Sequence, residues 1–477
     1  MKDSKLFTKI EQKTASKRNI EERVNDWQEI LIPLTDNEIK DQASRCMDCG
    51  VPFCHSAGCP LTNIIPYWNE MIYLGQWKQA LALLEKTSPF PEITGRVCPA
   101  LCEAACTLSV NKEAVTIRQI ELALVEKGFE EGWIRPQPLK NRTNKKVAII
   151  GSGPAGLAAA KKLNDLGHRV VVYEKNDRIG GLLRYGIPDF KLEKKIIDRR
   201  LEIMQIDGIT FETSINVGED ISVNYLTKHY DAILLSGGAE APRKLNILGE
   251  DLKGVYYAMD FLTQQNRINA GDQIDPDKII NVKDKVVVVI GGGDTGNDCV
   301  GSANRLGAKS VYQFELLPQP PLDRSENDPW PSYPRIYRKS TSHEEGCEQH
   351  WNILTKEFKG DKNGLKKISA AEIKWLEPDA SGRATFEEIA GKNFEINADI
   401  AILATGFTGP VKNELLNELG VEFDNRGNVK TDPLTQMTSV NGVFCSGDMT
   451  KGPSLVVWAI QSSAKAAEAI HNYLMNS

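Results

Sequence analysis

A short aliphatic run ending in three spaced glycines occurs twice, and no other feature restricts the fold of this chain so tightly. Val147-Ala-Ile-Ile150 leads into Gly151-Ser-Gly153-Pro154-Ala155-Gly156, then an alanine-rich stretch to Gly167 and a second run over 169–174. Residues 285–290 lead into Gly291-Gly-Gly293-Asp294-Thr295-Gly296, then a stretch to Gly307 and a run over 310–315. Short apolar runs bounded by turn residues read as buried strands, and the segments after the glycines read as helices. In such a strand–turn–helix the first glycine allows the tight turn, the second lets backbone approach a pyrophosphate, and the third lets the helix pack on the strand. The helix N-terminus then offers free N–H groups to the anion. Glu174 ends the second run of the first unit, where an acid holds a ribose diol. In the second unit the strand-end residues are Gln313 and Glu315. An acid there favours a free 2′-hydroxyl and hence NADH, whereas NADPH calls for arginine; Arg324, Arg335 and Arg338 lie further along. That choice stays open.

A third repeat links the two units. Asp231-Ala-Ile-Leu-Leu-Ser-Gly-Gly238 matches Asp399-Ile-Ala-Ile-Leu-Ala404-Thr405-Gly406, each a strand closing on a small-residue turn. Residues 442–448, with Gly447 and Asp448, give one more strand and turn, and a helix over 454–474 follows. The expected architecture is α/β: a helical block over 1–140, a flavin-binding unit from 141–250 and 407–477, and an NAD(P)H-binding unit over 251–406. The two nucleotide units are Rossmann-like and interleaved, the second inserted in the first.

A chain of 477 residues suggests two to four domains. Its net charge of -6 argues against nucleic acid, which needs a basic face. The longest aliphatic stretches are strand-sized, far short of a bilayer span. The charged start, Met1-Lys-Asp-Ser-Lys-Leu-Phe7, carries no apolar signal region, so a cytoplasmic protein without a membrane is expected. There is no GxSxG, HExxH or Walker lysine motif. Two dinucleotides, one a flavin and one a nicotinamide, would exchange hydride with no side-chain nucleophile.

Seven of the ten cysteines lie in the helical block: Cys46, Cys49, Cys54, Cys59, Cys98, Cys102 and Cys106. An odd count in a reducing compartment disfavours disulfides. Zinc is one alternative, since Cys46 and Cys49 are spaced like a zinc knuckle and His55 is near. Iron–sulfur clusters are the favoured reading, because one-electron centres have an evident use beside a flavin. Two cubanes need eight ligands; His55 or a carboxylate from the following helix would supply the eighth.

Several stretches resemble the small (β) subunit of glutamate synthase: residues 45–54, 95–99, 114–121, 151–156, 180–188 and 454–459. The resemblance runs nearly end to end, and a similar module occurs in dihydropyrimidine dehydrogenase. It implies FAD at the first fingerprint, NADPH (NADH in some members) at the second, and two 4Fe–4S clusters in the helical block. It also implies a large-subunit partner that holds FMN and a further Fe–S cluster, with which L-glutamate is made from glutamine and 2-oxoglutarate. One cluster would take Cys46, Cys49, Cys54 and Cys106; the other Cys59, Cys98, Cys102 and Glu121. Flavin contacts are implied at Gly151, Gly153, Pro154, Ala155, Gly156, Glu174, Lys175, Gly181, Leu182, Arg184, Val217, Gly447, Asp448, Ser454, Leu455 and Val456. Nicotinamide nucleotide contacts are implied at Gly291, Gly293, Asp294, Thr295, Gly296, Ala404, Thr405 and Gly406. Many members have one fewer residue between the cysteines matching Cys54 and Cys59, and more between those matching Cys98 and Cys102. A stand-alone NAD(P)H:acceptor oxidoreductase built on the same module is the competing reading. Outside these sites, Cys299, Cys347 and Cys445 read as buried small side chains, and His343 and His350 as surface residues of a polar insertion.

Overall fold

The computed structural model describes residues 6–379, 382 and 384–476. The N-terminal block is helical, with one two-stranded pairing, Ser16–Lys17 against Leu31–Ile32. The amphipathic run over 66–85 forms two helices, Ile65–Tyr73 and Trp77–Leu84, separated at Gly75 (φ +76°), a left-handed stop that suits glycine. The break lets Trp68 and Ile72 on one helix and Leu81 and Leu84 on the other share a core with Ile120, Leu124 and Val125. Those last residues lie on the helix Ile117–Glu130. Its first turn is preceded by an extended segment that Arg45 holds, donating to the carbonyls of Glu113 and Ala114.

Two five-stranded parallel sheets follow, with one strand order. The first runs Val443–Cys445, Ala232–Leu235, Lys146–Ile150, Arg169–Tyr173, Thr210–Glu212. The second runs Val255–Tyr257, Ile400–Leu403, Val286–Ile290, Ser310–Glu315, Glu348–Trp351. Each glycine loop leaves the central strand. The repeated aspartates have a matching role: Asp231 accepts from the Lys146 N–H at 2.7 Å and Asp399 from the Val286 N–H at 2.9 Å, so each pins the start of its central strand.

The sheets differ in two places. The outer strand of the first comes from the far end of the chain, that of the second from just before its fingerprint. The link from Glu348–Trp351 to Ile400–Leu403 in the second sheet is an antiparallel meander, Ile353–Asp361, Gly364–Trp375 and Phe386–Asn397; in the first sheet the matching link, from Thr210–Glu212 to Ala232–Leu235, holds the helix Val223–His229. The chain crosses between the sheets through a short antiparallel pair, Ala241–Pro242 with Phe407–Gly409. The last helix begins at Val456, two residues after Ser454, and packs along Pro154–Asp165.

Each nucleotide unit is tied to the helical block by a buried ion pair. Arg200 grips Glu92 with both ends of its guanidinium, at 2.6 and 3.0 Å. Arg23 and Arg305 converge on the fully buried Glu345 carboxylate. Such pairs contribute little net stability when intact, but breaking one strands a charge at about 3–5 kcal/mol.

Candidate functional site

The two glycine loops separate what packing requires from what a ligand requires. A Cβ added to Gly151 would sit 2.6 Å from the Ser236 carbonyl, and one added to Gly156 would collide with the carbonyl of Gly151. Gly291 and Gly296 meet the Ala404 and Gly291 carbonyls in the same way. These four glycines are needed by the chain itself. At the middle positions, Gly153 and Gly293, an added Cβ would find no atom within 4 Å. Packing does not explain glycine there, and the open backbone suits the approach of a pyrophosphate. Both residues also precede helices, Pro154–Asp165 and Asp294–Arg305, that have no side-chain N-cap, so first-turn N–H groups stay available to an anion.

Around the first loop the polar groups interlock. Glu174 is buried, and its carboxylate accepts from the Ser152 hydroxyl at 2.6 Å and the Asn176 N–H at 2.8 Å. The Ser152 oxygen in turn accepts from the Gly180 N–H at 2.9 Å. This places Gly181 (φ +52°) against Gly153, where a Cβ would come within 2.7 Å of the Gly153 Cα. Gly447 lies beside Ala155, donating its N–H to Ser462, and Asp448 accepts from the Ser454 hydroxyl at 2.6 Å. Burial pushes the Asp448 carboxyl up, opposed by Ser454. Lys175 pairs with Glu240 at the edge, and Leu182 is exposed beside Gly181. Arg184 does not sit in a solvated loop: it is buried, donates to the Ile179 carbonyl and pairs with Asp198. Val217 is in the core with Leu415 and Leu416, and Leu455 and Val456 border the core of the first unit.

The second loop is looser. Phe314 lies opposite Ile290 as Tyr173 lies opposite Ile150, so Glu315 holds the place of Glu174. Glu315 accepts from the Gly292 N–H, and from the Leu317 N–H at 3.0 Å. Gln313 faces inward and donates to the Gly291 carbonyl at 3.0 Å. Ala404 closes over Gly291, Thr405 donates to the Arg243 carbonyl at 2.8 Å, and Gly406 (φ +82°) turns the chain. His343 is a correction: it is buried, with Nε2 2.7 Å from Gln313 Oε1 and Nδ1 3.0 Å from Ser340 Oγ. Burial lowers its pKa to about 4. A histidine in a polar stretch reads as surface until the tertiary fold brings Gln313 to it.

The cysteines line two separate cavities. Cys46, Cys49, Cys54 and Cys106 border one, with Phe53, Ile65 and Leu108. Cys59, Cys98, Cys102 and Glu121 border the other, with Thr94 and Val457. Cys54 opens a π-turn, Cys54–Gly58, and Cys59 follows it. A π-turn carries one residue more than an α-helical turn, and here it separates Cys54 from Cys59. Gly58 is essential to this bend, because a Cβ there would lie 2.8 Å from the Cys102 Cα. His55 borders neither cavity; its Nδ1 lies 3.0 Å from the Asn63 carbonyl.

The donor chemistry fits an iron–sulfur group. Burial raises the thiols of Cys54, Cys102 and Cys106, Cys59 to about 12 and Cys98 to about 11. Thiolates here need a bound cation to exist. Four thiols border one cavity and three thiols with Glu121 the other, sulfur-rich donor sets of the kind that ligate iron–sulfur clusters. Glu121 is also buried, its carboxyl raised to about 7 by desolvation and opposed by the Thr94 hydroxyl, which donates at 2.5 Å. Thr94 and Ser152 were not foreseen. Both act through a neighbour, Thr94 on Glu121 and Ser152 on Glu174, so neither carries a signal in spacing alone.

Comparison with known proteins matches these regions to two families. Residues 145–463 match the pyridine nucleotide-disulphide oxidoreductase family, and residues 23–133 match dihydropyrimidine dehydrogenase domain II, 4Fe-4S cluster. A Mycobacterium tuberculosis protein named glutamate synthase [NADPH] small chain is 48% identical over 98% of this chain and 94% of its own length. The chain belongs to the glutamate synthase small-subunit family. A Schizosaccharomyces pombe protein named glutamate synthase [NADH] is 45% identical over 97% of this chain but only 22% of its own length. So the small-subunit sequence also occurs within a longer chain. The solved structure of M. tuberculosis FprA with a modified NADP+ shares the fold: TM-score 0.56 and 20% identity, over 70% of this chain and 85% of that one. As a member of this family the chain is an oxidoreductase with dinucleotide-binding and 4Fe–4S regions. Among the described residues no helix is long and apolar enough to cross a membrane.

Proposed function

We propose that this chain oxidises NAD(P)H and relays the electrons to a separate large subunit, carrying FMN and a further Fe–S cluster, for L-glutamate synthesis. FAD is held at the first loop by Gly151, Gly153, Ala155, Gly156, Glu174, Gly181, Gly447, Asp448 and the segment 454–456. NAD(P)H is held at the second by Gly291, Gly293, Asp294, Thr295, Gly296 and 404–406. Two 4Fe–4S clusters are held by the two ligand sets that border the two cavities. The units are 1–140, 141–250 with 407–477, and 251–406, and the chain works in the cytoplasm. Bound there, a flavin would supply a hydride acceptor for NAD(P)H, and 4Fe–4S clusters would supply one-electron centres for onward transfer.

The observation that carries this reading is the position of the second cavity. Val457 borders it, one residue beyond the flavin-site Val456. The Glu121-containing set thus borders the last helix of the flavin unit, and we take it as the set nearer the flavin and the Cys46 set as the farther one. The protein's own part is to hold the groups in that order and to keep water from them with Ile65, Leu108 and Leu61. The test is the purified full chain, assayed for iron and flavin and mixed anaerobically with NAD(P)H. Flavin bleaching followed by cluster reduction is expected, with glutamate formed only when a large subunit is added. Glutamate formation by the single chain, or absence of flavin bleaching, overturns the reading.

A further inference from the structure

The second loop carries information about which nicotinamide nucleotide it admits, and this rests on the reading of that loop as the NAD(P)H site. The strand register puts Glu315 one residue past the Phe314–Ile290 pair, as Glu174 is one past the Tyr173–Ile150 pair. A carboxylate at this strand end faces the ribose of a dinucleotide whose pyrophosphate sits on the glycine loop. Glu315 is fixed there by the Gly292 and Leu317 N–H groups. Each of its oxygens has two acceptor sites, so a ribose 2′-hydroxyl can still donate to it.

The charge of Glu315 is not cancelled. Among the described residues no lysine or arginine forms an ion pair with it, while many other carboxylates on this chain have one. Two of the arginines further along the loop are engaged elsewhere. Arg324 donates to the carbonyls of Asp328 and Ser332, and Arg338 lies over the Tyr333 ring at 4.6 Å while donating to the Pro334 carbonyl. A 2′-phosphate carries a charge of about −1.5 to −2 at neutral pH and would have to stand against a fixed carboxylate. The overall identity to the relatives above does not decide the matter, since they are named for both nucleotides.

We propose that Glu315 makes this chain selective for NADH over NADPH, accepting the 2′-hydroxyl of the one and repelling the 2′-phosphate of the other. Two measurements on the flavin-loaded full chain test it: the rate of anaerobic flavin bleaching by each reduced nucleotide, and binding of NAD+ and NADP+ by calorimetry. The wild type is expected to favour NADH and NAD+ by at least about tenfold. Glu315→Gln keeps an acceptor for the Gly292 N–H but removes the charge, so the NADPH and NADP+ values should rise about tenfold while those for NADH fall less. Unchanged flavin content shows that the variant is folded. A wild type that prefers NADPH, or a ratio unmoved by Glu315→Gln, overturns the selectivity. If neither nucleotide bleaches the flavin but NAD+ still binds more tightly than NADP+, the hydride-entry reading fails and the selectivity stands.

Discussion

The two glycine loops share a strand order and a strand-end acid, yet they are finished differently. In the first, Ser152 ties Glu174 to Gly180, and a second glycine loop lies against Gly153. In the second, Gly292 stands where Ser152 stands, and Glu315 is held only by backbone N–H groups. In the first loop a side chain ties the strand-end acid to the neighbouring glycine turn; in the second, among the described residues, the side-chain network runs through Gln313 and His343 and does not reach Glu315. The contrast is what a resident cofactor and an exchanging substrate each require: slow release in one case, easy exchange in the other.

The largest expected effect separates the middle glycines. Gly153→Val should leave the purified chain without flavin, while Gly293→Val should retain flavin that NAD(P)H no longer bleaches. Equal flavin loss in both would erase the distinction between the loops. Next come the anchors. Glu92→Ala strands Arg200 and should cost about 3–5 kcal/mol in denaturant unfolding of the first unit, with Glu345→Ala doing the same to the second. A single shared transition in both variants would show that the units do not unfold separately.

A smaller effect concerns acid. His343 has its folded pKa lowered from 6.5 to about 4 by burial, so the unfolded chain binds more protons between those values. Stability should therefore fall as pH drops from 6.5 to 4, by up to roughly 3 kcal/mol. His343→Gln should flatten that slope around the second loop, as followed by thermal unfolding against pH. The smallest is Ser152→Gly, which gives the first loop the residue of the second. A loss of about 1 kcal/mol and faster flavin release on dilution are expected; unchanged release would mean that Ser152 does not close the site.

Much of this was legible in the sequence because it lies in local spacing. The glycine triads and the strand-end acids are fixed by turn and strand geometry within about 20 residues, and the repeated aspartates show as a repeat although they act across 85 and 113 positions. The partition of the eight candidate ligands into two cavities follows the resemblance rather than the spacing, because Cys106 returns to Cys46 across a whole helical block. The helix break at Gly75 and the meander over 353–397 are not evident in the sequence, the first for want of a proline and the second because its outer strand, Phe386–Asn397, is exposed on both faces through residue 393 and alternates only over its last four residues. His343 was misread because only tertiary packing supplies its partner.

The short pairing of Ala241–Pro242 with Phe407–Gly409 has a further consequence. The Arg243 N–H donates to the Gly406 carbonyl at 2.9 Å, so the second sheet is spliced into the first through two chain crossings that lie side by side. A module inserted at one such point can be exchanged or lost in evolution without redrawing the host sheet. The choice of reductant can then change independently of the wiring that carries the electrons away.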